Sequence, residues 1–180
     1  MRTLDLIVNE IKDVIRQVDE SQLERAMTFL NKNRRIFVDG SGRSGFQAKG
    51  FAMRLMHIGY TSYAIGETIS PAIAKGDVYF AVSGSGKTKN IVNDTKAAKA
   101  KGLTIIAATS KPDSPLAELA DCTIVVPGAT KNDRDRKSIQ LLSSLFDQAV
   151  HITLDALCLK LSRRDHTSEE DAAKMHTNVE

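Results

Sequence analysis

Arg35-Ile-Phe-Val-Asp-Gly-Ser-Gly-Arg-Ser-Gly45 runs from a short β-branched and aromatic segment straight into a glycine-rich turn. Val78-Tyr-Phe-Ala-Val-Ser-Gly-Ser-Gly-Lys-Thr88 repeats the arrangement. In each case a helical pattern follows, over 46–58 and 89–101, and each helix is stopped by glycine, Gly59 and Gly102. Strand, tight loop and helix recurring in this order mark βαβ units. Further strands are expected at 61–65, 103–108 and 122–126, with a short helix at 115–120 between the last two. The strands read as continuous apolar runs, as strands covered on both faces do. The expected fold is therefore α/β: a three-layer α/β/α sandwich with a five-stranded parallel sheet, doubly wound and flavodoxin-like.

Apolar residues at helical spacing, from Leu4 to Ile15 and from Leu23 to Leu30, predict two N-terminal helices within 3–30. Ser21 and Glu24 form a capping-box pattern for the second. A long amphipathic helix is expected from about Ile139 to Leu161, followed by a polar tail with room for one short helix. The 180 residues fit one domain, 1–180, with the N-terminal helices 3–30 and a C-terminal helix and tail 139–180 as its flanks.

Composition narrows the function. The chain is 42% hydrophobic and 26% charged, ordinary for a globular protein. No window approaches the ~18 consecutive apolar residues of a membrane span, and the acids in MRTLDLIVNEIKD are unlike a secretory signal. Cytoplasmic placement and no membrane partner are expected. Cys122 and Cys158 suggest buried thiols rather than a disulfide framework or a metal site. The net charge of +3 includes basic clusters at 32–35 and 134–137, but aromatics are only 5% and Trp is absent. Stacking platforms for nucleic acid are therefore missing, and a small anionic substrate suits the charge better.

Both glycine-rich loops fall beyond the carboxyl ends of strands and before helix N-termini, where backbone N–H groups attract anions. Ser83, Ser85 and Thr88 add hydroxyls for phosphate oxygens, while Gly84 and Gly86 permit close approach and positive φ. The Walker A pattern fails, because Ala81 stands where its first glycine belongs. Gly40 to Gly45 fits the dinucleotide spacing, with Glu67 as its ribose-binding acid. That scheme does not require a second hydroxyl-rich loop, which tips the balance away from a dinucleotide and toward another phosphate-bearing ligand.

Taken together, Gly40-x-Gly42-Arg-Ser-Gly45, Phe51-Ala-Met-Arg-Leu-Met-His57-x-Gly59, Gly66-Glu67 and Ser83-Gly-Ser-Gly86-x-Thr88 resemble the sugar isomerase (SIS) domain. More narrowly they resemble the 6-phospho-3-hexuloisomerases, and Ser144-Leu-Phe-x-Gln148 and His176-x-Asn178-x-Glu180 extend the likeness. The resemblance implies interconversion of D-arabino-hex-3-ulose 6-phosphate and fructose 6-phosphate through an enediol. This is the step after hexulose-phosphate synthase in formaldehyde fixation by the ribulose monophosphate pathway. It also implies a homotetramer, or at least a dimer, with no metal and no organic cofactor. By the same resemblance Ser44, Ser83, Ser85 and Thr88 hold the phosphate, Gly42, Gly84 and Gly86 belong to the substrate-binding loops as close-lying backbone, and Arg43 faces the site to hold phosphate or a sugar hydroxyl.

Isomerisation needs a base over the sugar carbons. The resemblance puts it at Asp147, where the family carries Glu; the side chain is one methylene shorter, about 1.5 Å. His176, Glu67 and His57 are the further acid/base candidates, and His176 could reach in from a neighbouring subunit. The basic loop 127–137 is either a lid or a solvated charge run. The rival readings are a sugar-phosphate-sensing SIS module without turnover, or an isomerase for another phosphosugar.

Overall fold

In the computed structural model, residues 2–135 and 137–179 are described; Arg136 of the basic loop and Glu180 of the terminal motif lie outside them. Five strands, β1 (Arg35–Gly40), β2 (Thr61–Ala64), β3 (Val78–Val82), β4 (Thr104–Thr109) and β5 (Cys122–Val125), form one sheet. Its order is β2-β1-β3-β4-β5, with every pairing parallel.

The strands separate two cores by alternation. Ile36, Val38, Phe80, Ile106 and Ile124 face one side, against α1 (Thr3–Ile15), α2 (Glu20–Phe29), α3 (Gly42–His57) and α6 (Ser144–Arg164). Phe37, Tyr79, Ala81, Ile105 and Ala107 face the other, against α4 (Lys89–Ala100) and α5 (Pro115–Leu119). This is the three-layer α/β/α sandwich expected. A short α7 (Glu169–Lys174), closed by a capping box at Ser168 and Asp171, lies in the tail.

Three helix starts differ from the sequence reading. The second helix is capped by Asp19, which accepts the Ser21 N–H, and Ser21 lies inside the helix. The third helix begins at Gly42 rather than Phe46, so the glycine-rich motif supplies its first turn. The long helix begins at Ser144, not Ile139. Residues 138–140 are drawn instead to Glu10 on α1, whose carboxylate accepts from Ser138 Oγ, the Ile139 N–H and Gln140 Nε2.

Glycines set how closely the layers meet. A Cβ on Gly45 would lie 2.5 Å from the Gly40 carbonyl oxygen, and one on Gly40 would lie 2.9 Å from that of Ser44. The end of β1 and the first turn of α3 therefore touch backbone to backbone.

Candidate active site

The carboxyl end of the sheet opens into a cleft of about 310 Å³. Into it point the N-termini of α3, α4 and α6, and none of these three is closed by a side-chain cap. By contrast, α2, α5 and α7 are capped by Asp19, Ser114 and Ser168. Uncapped N–H groups and three positive helix ends make this cleft receptive to an anion.

Each loop is braced from below and across. The Ser83 hydroxyl lies 2.9 Å from Thr88 Oγ1 and accepts the Gly86 N–H at 3.2 Å, and the Gly84 carbonyl accepts the Ser110 N–H at 3.0 Å. Asn90 Nδ2 on α4 donates to Ser41 Oγ at 2.8 Å, tying the second loop to the first. Gly86 has φ +61°, as its turn requires, but the missing side chains of Gly84 and Gly86 also make room for protein. A Cβ on Gly84 would meet Phe146 and Thr130 at 2.9 Å, and one on Gly86 would meet Ser114 Oγ at 2.0 Å.

Asp147, in the first turn of α6, lines the cleft with Gly42, Arg43, Ser44, Ser83, Gly84, Ser85 and Thr88. Its side chain is only 1% exposed. Ser44 Oγ donates to Oδ1 at 3.0 Å, and Arg43 Nε lies 3.4 Å from Oδ2. Burial raises the carboxyl above its ordinary value, opposed by the Ser44 hydrogen bond and by Arg43. A carboxylate lifted in this way, beside a phosphate-sized cradle, has the character of a general base.

The other acid/base candidates lie elsewhere. His57 ends α3, about 24 Å from its N-terminus at 1.5 Å per residue. It is buried and stacks on His176 with ring centroids 5.3 Å apart. Burial first, then Arg54 and His176, lower its pKa, and the 3.2 Å contact from Arg54 to Nδ1 suits a neutral imidazole. The two histidines thus meet one another, in a second hollow lined by Arg54, Glu169 and Asn178, but they do not meet Asp147. Glu67 is half-exposed, ion-paired to Lys49 on α3, and does not line the cleft. Of the basic loop, Lys131 reaches the cleft and Arg134 lines the adjoining hollow.

Two groups absent from the sequence reading support the site. Asp39, buried at the end of β1, accepts the Gly40 N–H at 2.8 Å and the Tyr79 hydroxyl. A charged residue inside an apolar strand is the signal that could have found it. Thr130 also lines the cleft, held by Asp133, which accepts both its N–H and its hydroxyl.

Comparison with known proteins agrees with this geometry. The SIS domain family model matches residues 29–152. The 3-hexulose-6-phosphate isomerase of Mycobacterium gastri is 38% identical, over 98% of this chain and 89% of its own. That of Bacillus subtilis is 36% identical, over 97% and 95%. A crystal structure from Methanococcus jannaschii, for which a 3-hexulose-6-phosphate isomerase function was inferred, superposes with a TM-score of 0.85 at 32% identity, covering both chains fully. The chain belongs to the SIS-domain family.

Proposed function

We propose that this SIS-domain chain is a 3-hexulose-6-phosphate isomerase, interconverting D-arabino-hex-3-ulose 6-phosphate and fructose 6-phosphate. The full-length likeness to relatives of that name supports the substrate. The observation that carries the chemistry is the buried Asp147 carboxylate opening into a cleft walled by serine and threonine hydroxyls.

In this reading the phosphate rests on the 83–88 loop at the N-terminus of α4, with Ser44 and the α3 N-terminus beside it. Asp147 removes the proton from the hydroxyl-bearing carbon next to the carbonyl. The C–H electron pair forms the enediol double bond while the carbonyl π pair moves onto its oxygen, which takes a proton from solvent water. Collapse returns the Asp147 proton to the former carbonyl carbon and releases the other hydroxyl proton. Arg43, beside Oδ2, keeps the carboxylate available and offers a guanidinium to the enediolate oxygens. No step calls for a metal or an organic cofactor.

Oligomerisation belongs to the same reading. Leu4 and Val8 on α1, Phe46 and Met53 on α3, and Ile152 and Leu159 on α6 are exposed at i, i+4 or i, i+7 spacing. Such stripes suit a homo-oligomer, expected to be a tetramer, in which the His57–His176 pair serves a neighbour's cleft. The place of the reaction is cytoplasmic formaldehyde fixation, after hexulose-phosphate synthase.

The test is formation of fructose 6-phosphate from ribulose 5-phosphate and formaldehyde in the presence of an independent hexulose-phosphate synthase. Product dependent on this chain is expected. Tight fructose 6-phosphate binding without product would instead indicate a sensor.

A further inference from the structure

We propose that Leu142 is a substrate-contacting residue that holds the carbon face of the sugar against Asp147, and that Glu10 on α1 positions it there. Leu142 has φ 54°, in the left-handed region that a leucine adopts only against steric cost. The residue is 74% exposed, yet it lines the same cleft as Ser44, Lys131 and Asp147. The only other apolar side chain lining that cleft, among the described residues, is Val82, which is fully buried. One strained, outward leucine thus stands over an otherwise polar site.

The conformation is held from both sides. Before it, the Glu10 carboxylate accepts from Ser138 Oγ at 2.7 Å, the Ile139 N–H at 2.9 Å and Gln140 Nε2 at 3.2 Å. After it, Ser143 Oγ accepts the Lys131 N–H at 3.2 Å. Partial burial works against the Glu10 anion, but these donors hold its pKa below the ordinary carboxylate value. A segment pinned this way is a built wall rather than a loose loop. A ketohexose phosphate presents C–H groups along one side of its chain, and the carbon that loses its proton is among them. An apolar wall there would press these C–H groups toward the carboxylate and displace water from the enediol.

This inference rests on the reading of the cleft as a sugar-phosphate site, and calorimetry separates the two. The probes are fructose 6-phosphate and inorganic phosphate, which shares only the phosphate contacts. Leu142→Ala is expected to weaken fructose 6-phosphate binding about tenfold, the value of one apolar side chain, and to leave inorganic phosphate unchanged. Leu142→Gly should lose as much affinity while melting higher than Leu142→Ala, because glycine relieves the left-handed strain. Glu10→Ala should raise KM several-fold, with kcat within about twofold of the intact protein. Fructose 6-phosphate affinity within about twofold in Leu142→Ala, or an equal loss of inorganic phosphate, would overturn the role of Leu142. An intact protein that binds fructose 6-phosphate without isomerising it would overturn the isomerase reading and leave this one standing.

Discussion

Asp147→Asn is expected to lower turnover about 10³-fold, within the range a general base contributes, while fructose 6-phosphate still binds and the protein melts at a higher temperature. The gain in stability follows from the sign of the pKa shift. Burial raises the folded-state carboxyl above the ordinary 3.8, with Ser44 and Arg43 pulling it partly back. Between the ordinary value and the folded one, the native chain binds more protons than the unfolded chain. The contribution of this group is thus fully present below the ordinary value and lost as pH rises through the folded one. At neutral pH the buried anion destabilises, and a neutral isostere removes the cost. The same shift places the acid limb of kcat/KM above the usual Asp range. Thermal melts, calorimetry and turnover on one preparation test this together. Turnover within about tenfold of the intact protein would move the base to Glu67 or to His176. Loss of binding and of stability together would make Asp147 structural.

Gly45→Ala should destabilise the fold by about 3 kcal/mol, lowering the melting temperature by about 10 °C, and should abolish phosphate binding. The added Cβ would meet the Gly40 carbonyl oxygen at 2.5 Å and its carbon at 3.1 Å, and a backbone carbonyl cannot rotate away as a side chain can. Relief requires α3 to slide from β1, which carries Ser44 off the Asp147 carboxylate and moves the α3 N-terminus out of the cleft. Gly50 lies on the same helix, and a Cβ added there would meet nothing within 4 Å. Gly50→Ala should therefore stabilise by about 1 kcal/mol, the helix-propensity difference. A thermal melt comparing the two variants checks the claim, since opposite signs are expected from one substitution type on one helix. Equal effects would mean that the β1–α3 contact does not decide the position of the first loop.

Much of this architecture is legible in the chain. The apolar runs at 35–39 and 78–82 suit only covered strands, and both glycine-rich loops lie at the end of the sheet where ligands bind. The start of α3 is not legible, because Gly42 and Gly45 are poor helix formers, and only the positive φ of the first and the close approach of Gly40 to the second explain them. The start of α6 is hidden for the opposite reason. Ile139, Leu141 and Leu142 continue the apolar pattern, but the helix is forestalled by Glu10, a residue far away in sequence. The hydroxyl and glycine positions of the site follow from local motifs. The separation of His57 and His176 from Asp147 does not, since it depends on how distant segments pack on α3: Asp147 of α6 meets Ser44 at its start, and His176 of the tail stacks on His57 at its end.

The central claim, an enediol formed by Asp147 between C2 and C3, is tested most directly by incubating fructose 6-phosphate with the protein in deuterium oxide and following the sugar protons by NMR. The intact protein is expected to exchange the proton at C3, and Asp147→Asn to leave it in place. Exchange at C1 instead, or exchange at C3 that survives the substitution, would contradict the account.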